Sequence, residues 1–155
     1  MSLTIAATSP DTPEAVALIN ELEAQLDPLY PRASRHGLSV AQLIDQGVAF
    51  FVLRCEGEPV GCGGVKLFGA DYAEVKRMYV RPPFRGRGLA RAMLDHLASY
   101  SQSQGVSLLR LETGIHQHEA IGLYERAGFM RIPPFGEYHE DPLSLFFEKR
   151  ISGGG

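Results

Sequence analysis

A glycine-rich turn between a strand-like run and a helical run constrains this chain more than any other stretch. Residues 85–90 read Arg-Gly-Arg-Gly-Leu-Ala, follow the β-prone run 74–80 and precede a helix predicted from Leu89 to about Gln104. The first N–H groups of a helix have no intrahelical partner, and the helix dipole adds partial positive charge there. Because glycine also lets a phosphate approach the backbone closely, this turn predicts an anion site.

Basic residues gather around the turn although the chain as a whole is acidic. The net charge is −3 at pH 7, yet a large share of the 15 Lys and Arg residues lies close to the turn: Lys76, Arg77, Arg81, Arg85, Arg87 and Arg91. A local basic cluster favours a small anionic ligand over a long polyanion. Since basic and aromatic residues are not interleaved either, nucleic-acid binding is disfavoured.

Composition predicts one globular domain. The chain has 155 residues, of which 45% are hydrophobic, so residues 1–151 are predicted to form one domain with a flexible tail at 152–155. Cys55 and Cys62 are too few for a disulfide framework or a zinc site and suit the core of a reduced, cytoplasmic protein. No apolar run approaches the roughly 18 residues of a membrane span, and no signal-peptide pattern begins the chain. We expect no membrane partner and no metal.

Periodicity predicts strands interleaved with four helices. The first helix should begin near Pro13 with Asp11 as its cap and end before Pro28, and the later helices should span 40–46, 89–104 and 117–127. Strands are expected at 3–7, 48–54, 59–67, 72–80, 107–113, 129–132 and 143–150. Because a helix connects 72–80 to 107–113, these two strands should be parallel, whereas the others form antiparallel connections.

Three phosphate-binding patterns compete for the glycine turn. The nucleotide P-loop, Gly-x-x-x-x-Gly-Lys-Ser/Thr, does not occur. The dinucleotide fingerprint fails because Arg91 stands where a small residue is needed, and because several strands precede the turn. The third pattern, Arg/Gln-x-x-Gly-x-Gly/Ala, fits at Arg85, Gly88 and Ala90.

This third pattern resembles the acetyl-CoA signature of the GNAT superfamily of N-acetyltransferases. The resemblance extends through the frames 73–80, 111–114 and 117–129 to essentially the whole chain, and it is strongest to bacterial small-molecule members. It implies an α/β (α+β) GNAT fold. That fold has a central mixed, mostly antiparallel sheet of about six to seven strands, a splayed parallel pair, and about four helices on both faces.

The resemblance also implies how acetyl-CoA would be held as cosubstrate. Backbone N–H groups of the turn would hold the pyrophosphate, the exposed edge of the strand ending at Val80 would pair with the pantetheine arm, and an N–H near Met78 or Tyr79 would polarise the thioester carbonyl. Gln117 stands where relatives have a cofactor-binding asparagine. The implied cofactor-binding residues are Met78, Tyr79, Val80, Arg85, Gly86, Arg87, Gly88, Leu89, Ala90, Gln117 and Tyr124.

Two residues are candidates for proton transfer. Glu74 resembles the general base of the histone-acetylating branch, with two alternatives: an ordinary ion-pair partner, or loss of the amine's proton in solution. Tyr124 occupies the family's general-acid position and would protonate, or hydrogen-bond to, the leaving thiolate; its alternative is a core aromatic. Neither cysteine has a nucleophile context, so a covalent acyl-enzyme is not expected.

The acceptor pocket should be formed by the loops 30–38 and 133–142. Their candidate substrate-binding residues, which could hold a carboxylate or another polar group, are Tyr30, Arg32, Arg35, His36 and Tyr138. The resulting hypothesis is acetyl transfer from acetyl-CoA to a primary amine of a small molecule, amino acid or peptide, by direct attack in a ternary complex. The alternative is a non-catalytic acyl-CoA sensor of the same fold. Relatives also suggest a homodimer through the last strands.

Overall fold

A seven-stranded mixed sheet organises residues 2–151, the part of the chain that this computed structural model describes. The strands lie in the order β1-β2-β3-β4-β5-β7-β6, and every neighbouring pair is antiparallel except β4 and β5. The expected tail at 152–155 lies outside the described residues. The strands are β1 Leu3–Ala7, β2 Ala49–Cys55, β3 Glu58–Phe68, β4 Tyr72–Val80, β5 Leu108–Gly114, β6 Met130–Ile132 and β7 Ser144–Arg150.

Four α-helices and two 3₁₀ turns complete the fold. The 3₁₀ turns are Arg32–Ser34 and Pro82–Phe84, and none of the described helices has the length and apolar character to cross a membrane. The predicted fold class is confirmed, and the predicted bounds of β2, β5 and the last helix differ from the observed ones by one residue at each end. The helices are α1 Pro13–Leu26, α2 Val40–Asp45, α3 Leu89–Ser103 and α4 His118–Arg126.

The caps of the first two helices come from hydroxyl side chains. Ser39 caps α2 in a capping box with Gln42. The prediction that Asp11 caps α1 is wrong, because Pro13 occupies the first turn and the extended residue before it, Thr12, accepts from the Ala15 N–H at 3.4 Å. Asp11 instead accepts a hydrogen bond from the hydroxyl of Ser9.

Each face of the sheet is covered by helices. Alternation along β2 sends Leu53 toward the cluster that contains α3 and α4 residues, and Val52 toward the cluster that contains α1 and α2 residues. Leu97 and Leu18 are the fully buried anchors of these two helix layers. Because both faces are packed, strand edges and ends are the places where a ligand can reach the backbone.

The parallel pair opens soon after it forms. β4 and β5 pair only at Ala73 with Leu109 and at Glu74 with Arg110. Beyond these pairs β4 carries a bulge, where its register with β3 shifts and Arg77 adopts a positive φ of 55°. A bulge bends and twists its strand, so the last residues of β4 diverge from β5 and leave an opening in the sheet.

Candidate active site

Two cavities meet at this opening. The turn-side cavity, about 870 Å³, is lined by the end of β4, the turn 84–91 and α4. The loop-side cavity, about 700 Å³, is lined by α1, the loop 30–40 and the facing parts of β4 and β5. Both are in the size range of ligand pockets. Five residues line both cavities: Leu22, Met78, Gln117, Ala120 and Tyr124.

The glycine turn forms one end of the turn-side cavity. Gly86 and Gly88 have φ values of 78° and 77°, and a Cβ on either would meet no atom within 4 Å. These positions therefore favour glycine for its backbone conformation rather than for space. Gly88 precedes α3 directly, so the first N–H groups of that helix are presented at the cavity.

Two arginines fix this turn to α1. Arg85 donates from Nε to the Val80 carbonyl at 2.8 Å and from a terminal nitrogen to Gln25 at 2.6 Å, and Arg81 pairs with Glu21 at 2.8 Å. The Arg85 N–H also donates to the Pro82 carbonyl at 3.2 Å. The Arg85 side chain and N–H are thus engaged within the protein, and its observed contribution is to shape the turn.

The other predicted cofactor residues are distributed around the same cavity. Met78, Tyr79 and Val80 line it from β4, where β5 no longer pairs with the strand. Leu89 and Ala90 line it from the start of α3, and Gln117 from the start of α4. Arg87 is exposed, does not line the cavity, and places its guanidinium over the Phe84 ring at 5.2 Å.

Tyr124 stands between the two cavities. Its side chain is buried on α4, packs against the rings of Phe129 and Phe147, and still lines both cavities. Burial, with a smaller contribution from Glu112, raises the pKa of the Tyr124 phenol. The phenol therefore keeps its proton at neutral pH and can donate a hydrogen bond at the junction of the cavities.

Glu74 is buried in a closed polar cluster. Its Oε2 pairs with Lys76 Nζ at 3.0 Å and accepts a hydrogen bond from the Tyr138 hydroxyl, which in turn accepts from Lys76 at 3.0 Å. The structure thus contains the ion pair that the sequence offered as the alternative to a catalytic role. One oxygen of Glu74 is engaged twice, which limits the lone pairs it can offer to a substrate.

Glu112 is a further carboxyl of the loop-side cavity, which was not predicted as a candidate from the sequence. It lies on β5 on the same side as Arg110, and accepts from the Ser144 hydroxyl at 2.8 Å. Burial raises the pKa of Glu112 to about 7, while the Ser144 hydrogen bond and the charge of Lys76 oppose the rise. The alternation of side chains along β5 predicts the face of the sheet on which Glu112 lies. Its exposure to a cavity depends on the opening that the bulge in β4 creates.

Tyr30 links the loop before α2 to the start of α4. Its hydroxyl accepts from the His116 N–H at 2.9 Å and donates to Gln117 Oε1 at 3.2 Å. Its ring fills the notch at Gly114, where a Cβ would lie 2.1 Å from it. Tyr30 lines the loop-side cavity as predicted, and its hydroxyl is engaged in positioning the residues that open α4.

The remaining predicted acceptor residues do come together in the loop-side cavity. Arg32, Arg35, His36 and Tyr138 line it, with the His36 ring edge-on to Tyr138 at 5.1 Å. Burial lowers the pKa of the His36 imidazole, so this side chain is neutral at pH 7. Arg32 is exposed, at the solvent side of the cavity. Across residues 2–151, no cluster of three His, Cys, Asp or Glu could hold a metal ion.

Comparisons with known proteins identify the chain as an acyl-CoA-dependent N-acyltransferase. The family described as the acetyltransferase (GNAT) family matches residues 15–129. This chain belongs to that family.

Several relatives match over nearly their whole length. An IAA acetyltransferase of Azospirillum brasilense is 42% identical, and the match covers 97% of this chain and 99% of the relative. The uncharacterized N-acetyltransferase YsnE of Bacillus subtilis is 31% identical, and the match covers 89% of this chain and 93% of the relative. A solved structure from Klebsiella pneumoniae, assigned as an acyl-CoA N-acyltransferase, has a TM-score of 0.82 at 37% identity and covers 96% of this chain and 97% of its own. The family and the fold are therefore established by sequence and by structure.

A more distant neighbour shares the fold. The PaiA N-acetyltransferase of Thermoplasma acidophilum, solved in complex with coenzyme A, has a TM-score of 0.77 at 18% identity and covers 97% of this chain and 99% of its own.

Proposed function

We propose that the protein transfers an acetyl group from acetyl-CoA to a primary amine of a small molecule, amino acid or peptide, by direct attack in a ternary complex. The observation that carries this proposal is the meeting of two cavities at Met78 and Tyr124. A donor in one cavity and an acceptor in the other would bring the reacting atoms together without a covalent enzyme intermediate.

The turn-side cavity suits the donor. The N–H groups at the start of α3 and the glycine turn would bind the pyrophosphate of CoA. The amides of the pantetheine arm would pair with the edge of β4 that β5 leaves free, as peptides pair with sheet edges. An N–H near Met78 or Tyr79 would then hydrogen-bond to the thioester oxygen and stabilise the negative charge that develops on it.

The acceptor must lose a proton to react. An alkyl ammonium has a pKa of roughly 10.4, so most of the acceptor is charged at neutral pH. We propose Glu112 as the main proton acceptor, because burial brings its pKa to about 7 and its partner, Ser144, is neutral. Glu74 is the second candidate for this proton acceptor, and in the structure it forms an ion pair with Lys76.

The proposed step conserves atoms and charge. The ammonium first gives one proton to the glutamate, which releases it to solvent. The neutral nitrogen then attacks the thioester carbon, its second proton passes to the glutamate, and the carbon–sulfur bond breaks to release the CoA thiolate. Tyr124 would hydrogen-bond to that thiolate or protonate it. Because burial raises the pKa of Tyr124, stabilisation by the hydrogen bond is the larger part of its role.

A thiol-release assay tests the proposal. The protein is incubated with acetyl-CoA and a panel of amines, amino acids and peptides, and the release of free CoA thiol is followed. The panel includes IAA, the compound that appears in the name of the Azospirillum relative. Release that depends on an acceptor supports transfer. Tight CoA binding without release from any acceptor would instead favour the acyl-CoA sensor. A cytoplasmic location and a homodimer remain part of the proposal, to be checked by fractionation and by light scattering.

A further inference from the structure

The charges that line the loop-side cavity are segregated into two walls. The arginine wall comprises Arg32, Arg35 and Arg77 with the carboxylates of Glu23 and Asp27, on α1, the loop after it and the β4 bulge. The carboxylate wall comprises Glu74, Lys76 and Glu112, on β4 and β5.

The arginine wall has one cation more than its carboxylates neutralise. Glu23 pairs with both Arg77 and Arg35, and Arg35 also pairs with Asp27 at 2.5 Å. Arg77 further donates to the Leu38 carbonyl at 2.9 Å, which fixes this network to the loop. Arg32 is exposed, lines the cavity and has no carboxylate partner within the described part of the chain.

The carboxylate wall has the opposite surplus when Glu112 is ionised, the state that a bound ammonium group favours. Lys76 neutralises Glu74 at 3.0 Å, whereas Glu112 has only the hydroxyl of Ser144 as a hydrogen-bond partner. This wall also adjoins the shared residues Met78 and Tyr124, where the reacting atoms would meet. An amine is therefore favoured at this wall and an anion at the other.

Building on the proposed N-acetyl transfer, we propose that the acceptor is a zwitterion, a free amino acid or a similar small amino-carboxylic acid. Its amine faces the carboxylate wall, and its carboxylate is held at the arginine wall, chiefly by Arg32. A guanidinium suits this role because it offers two parallel donors that match the geometry of a carboxylate.

A matched series of acceptors tests this inference. For several side chains, kcat/KM is measured for the amino acid, its carboxamide, its methyl ester and the decarboxylated amine, by thiol release. A preference of about tenfold or more for the free acid is expected, as for a lost hydrogen bond between charged groups. Equal rates for acid and carboxamide would overturn the zwitterion and leave N-acetyl transfer intact. No turnover with any amine would instead refute the proposed function.

Variants assign the carboxylate contact. Arg32→Ala should raise KM for the amino acid by about tenfold, with kcat and the carboxamide's kcat/KM little changed, and Arg32→Lys should recover part of the loss. The control is Arg150→Ala, an exposed residue that lines neither cavity, for which no change is expected. CoA affinity reports that each variant is folded. An equal loss for acid and carboxamide, or no loss at all, would overturn the role of Arg32.

Discussion

Glu74 and Glu112 lie on adjacent strands and line the same cavity, yet their neighbours give them different chemistry. Glu74 is held in an ion pair with Lys76 and accepts from Tyr138. Glu112 accepts from a neutral hydroxyl, and burial raises its pKa to about 7. A general base works best when its pKa lies near the working pH, so the environment favours Glu112.

Replacing Glu112 by Gln should lower kcat/KM by roughly 10²- to 10⁴-fold, the usual contribution of a general base. The base must be ionised to accept a proton, so wild-type activity should rise with pH and level off above about 7. The variant should lose this inflection and keep rising with the fraction of neutral amine. Rates are measured between pH 5.5 and 9 at fixed acetyl-CoA. The matched variant is Glu74→Gln; if it, rather than Glu112→Gln, removes the inflection, then Glu74 is the base.

Tyr124→Phe tests the other side of the proton transfer. The substitution removes one hydroxyl and keeps the ring packed against Phe129 and Phe147. We expect kcat to fall by roughly 10²-fold with little change in acetyl-CoA affinity, because the hydroxyl interacts with the leaving thiolate and not with bound thioester. Single-turnover rates and calorimetric titration with acetyl-CoA in the absence of an acceptor separate the two effects. A variant with wild-type turnover would remove Tyr124 from the mechanism.

At the scale of elements, the junction from β4 to α3 does two things. Its backbone presents helix N–H groups, and its arginines, Arg81 and Arg85, attach it to α1. We call residues 85–90 the cradle, and these contacts fix it to the helix that also lines the loop-side cavity.

Gly88→Val should reduce CoA affinity by at least about tenfold, because a β-branched residue is strained at a φ of 77° and its side chain would project over the cradle. The control is Gly105→Val at the other end of α3, where φ is 83° and a Cβ also meets nothing within 4 Å. Both variants should lose similar stability in thermal unfolding. Unchanged CoA binding by Gly88→Val would refute the cradle.

Most elements could be predicted from the sequence because their signals are local. Alternation in 107–113, the helical repeat after Leu89 and the caps at Ser39 and Gly105 fix elements without reference to distant residues. The geometry of the candidate site could not be predicted from local signals alone. The positive φ of Arg77 and the exposure of Glu112 to a cavity depend on contacts between separate elements, which periodicity does not record. For the same reason the inward direction of the Arg85 side chain was not predicted.

At the scale of the molecule, Glu112 also links the site to stability. Its pKa rises from 4.5 to about 7 on folding, so between these values the folded state binds more protons than the unfolded state. The free energy of unfolding should therefore decrease as pH rises from about 4.5 through 7 on account of this group. The site would keep a carboxyl that costs the fold stability above neutral pH.

Glu112→Gln should accordingly stabilise the protein at pH 8, by roughly 1–3 kcal/mol, and change stability little at pH 5, where the carboxyl is protonated. Urea unfolding of both proteins at the two pH values measures this. The control is Glu125→Gln, an exposed residue of α4, for which no difference between the two pH values is expected. Equal effects of Glu112→Gln at pH 5 and pH 8 would contradict the assigned pKa.

The opening between β4 and β5 has a kinetic consequence. Because the two cavities adjoin at five shared residues, the acetyl end of a bound donor would border the acceptor's site and complete it. An acceptor that binds first would enter a site that lacks the contacts supplied by the acetyl group of the donor. We therefore expect ordered addition, with acetyl-CoA first and free CoA the last product to leave. Product-inhibition patterns test this: CoA should compete with acetyl-CoA and not with the amine. The unpaired edge of β4 would then determine the order in which the enzyme binds its substrates.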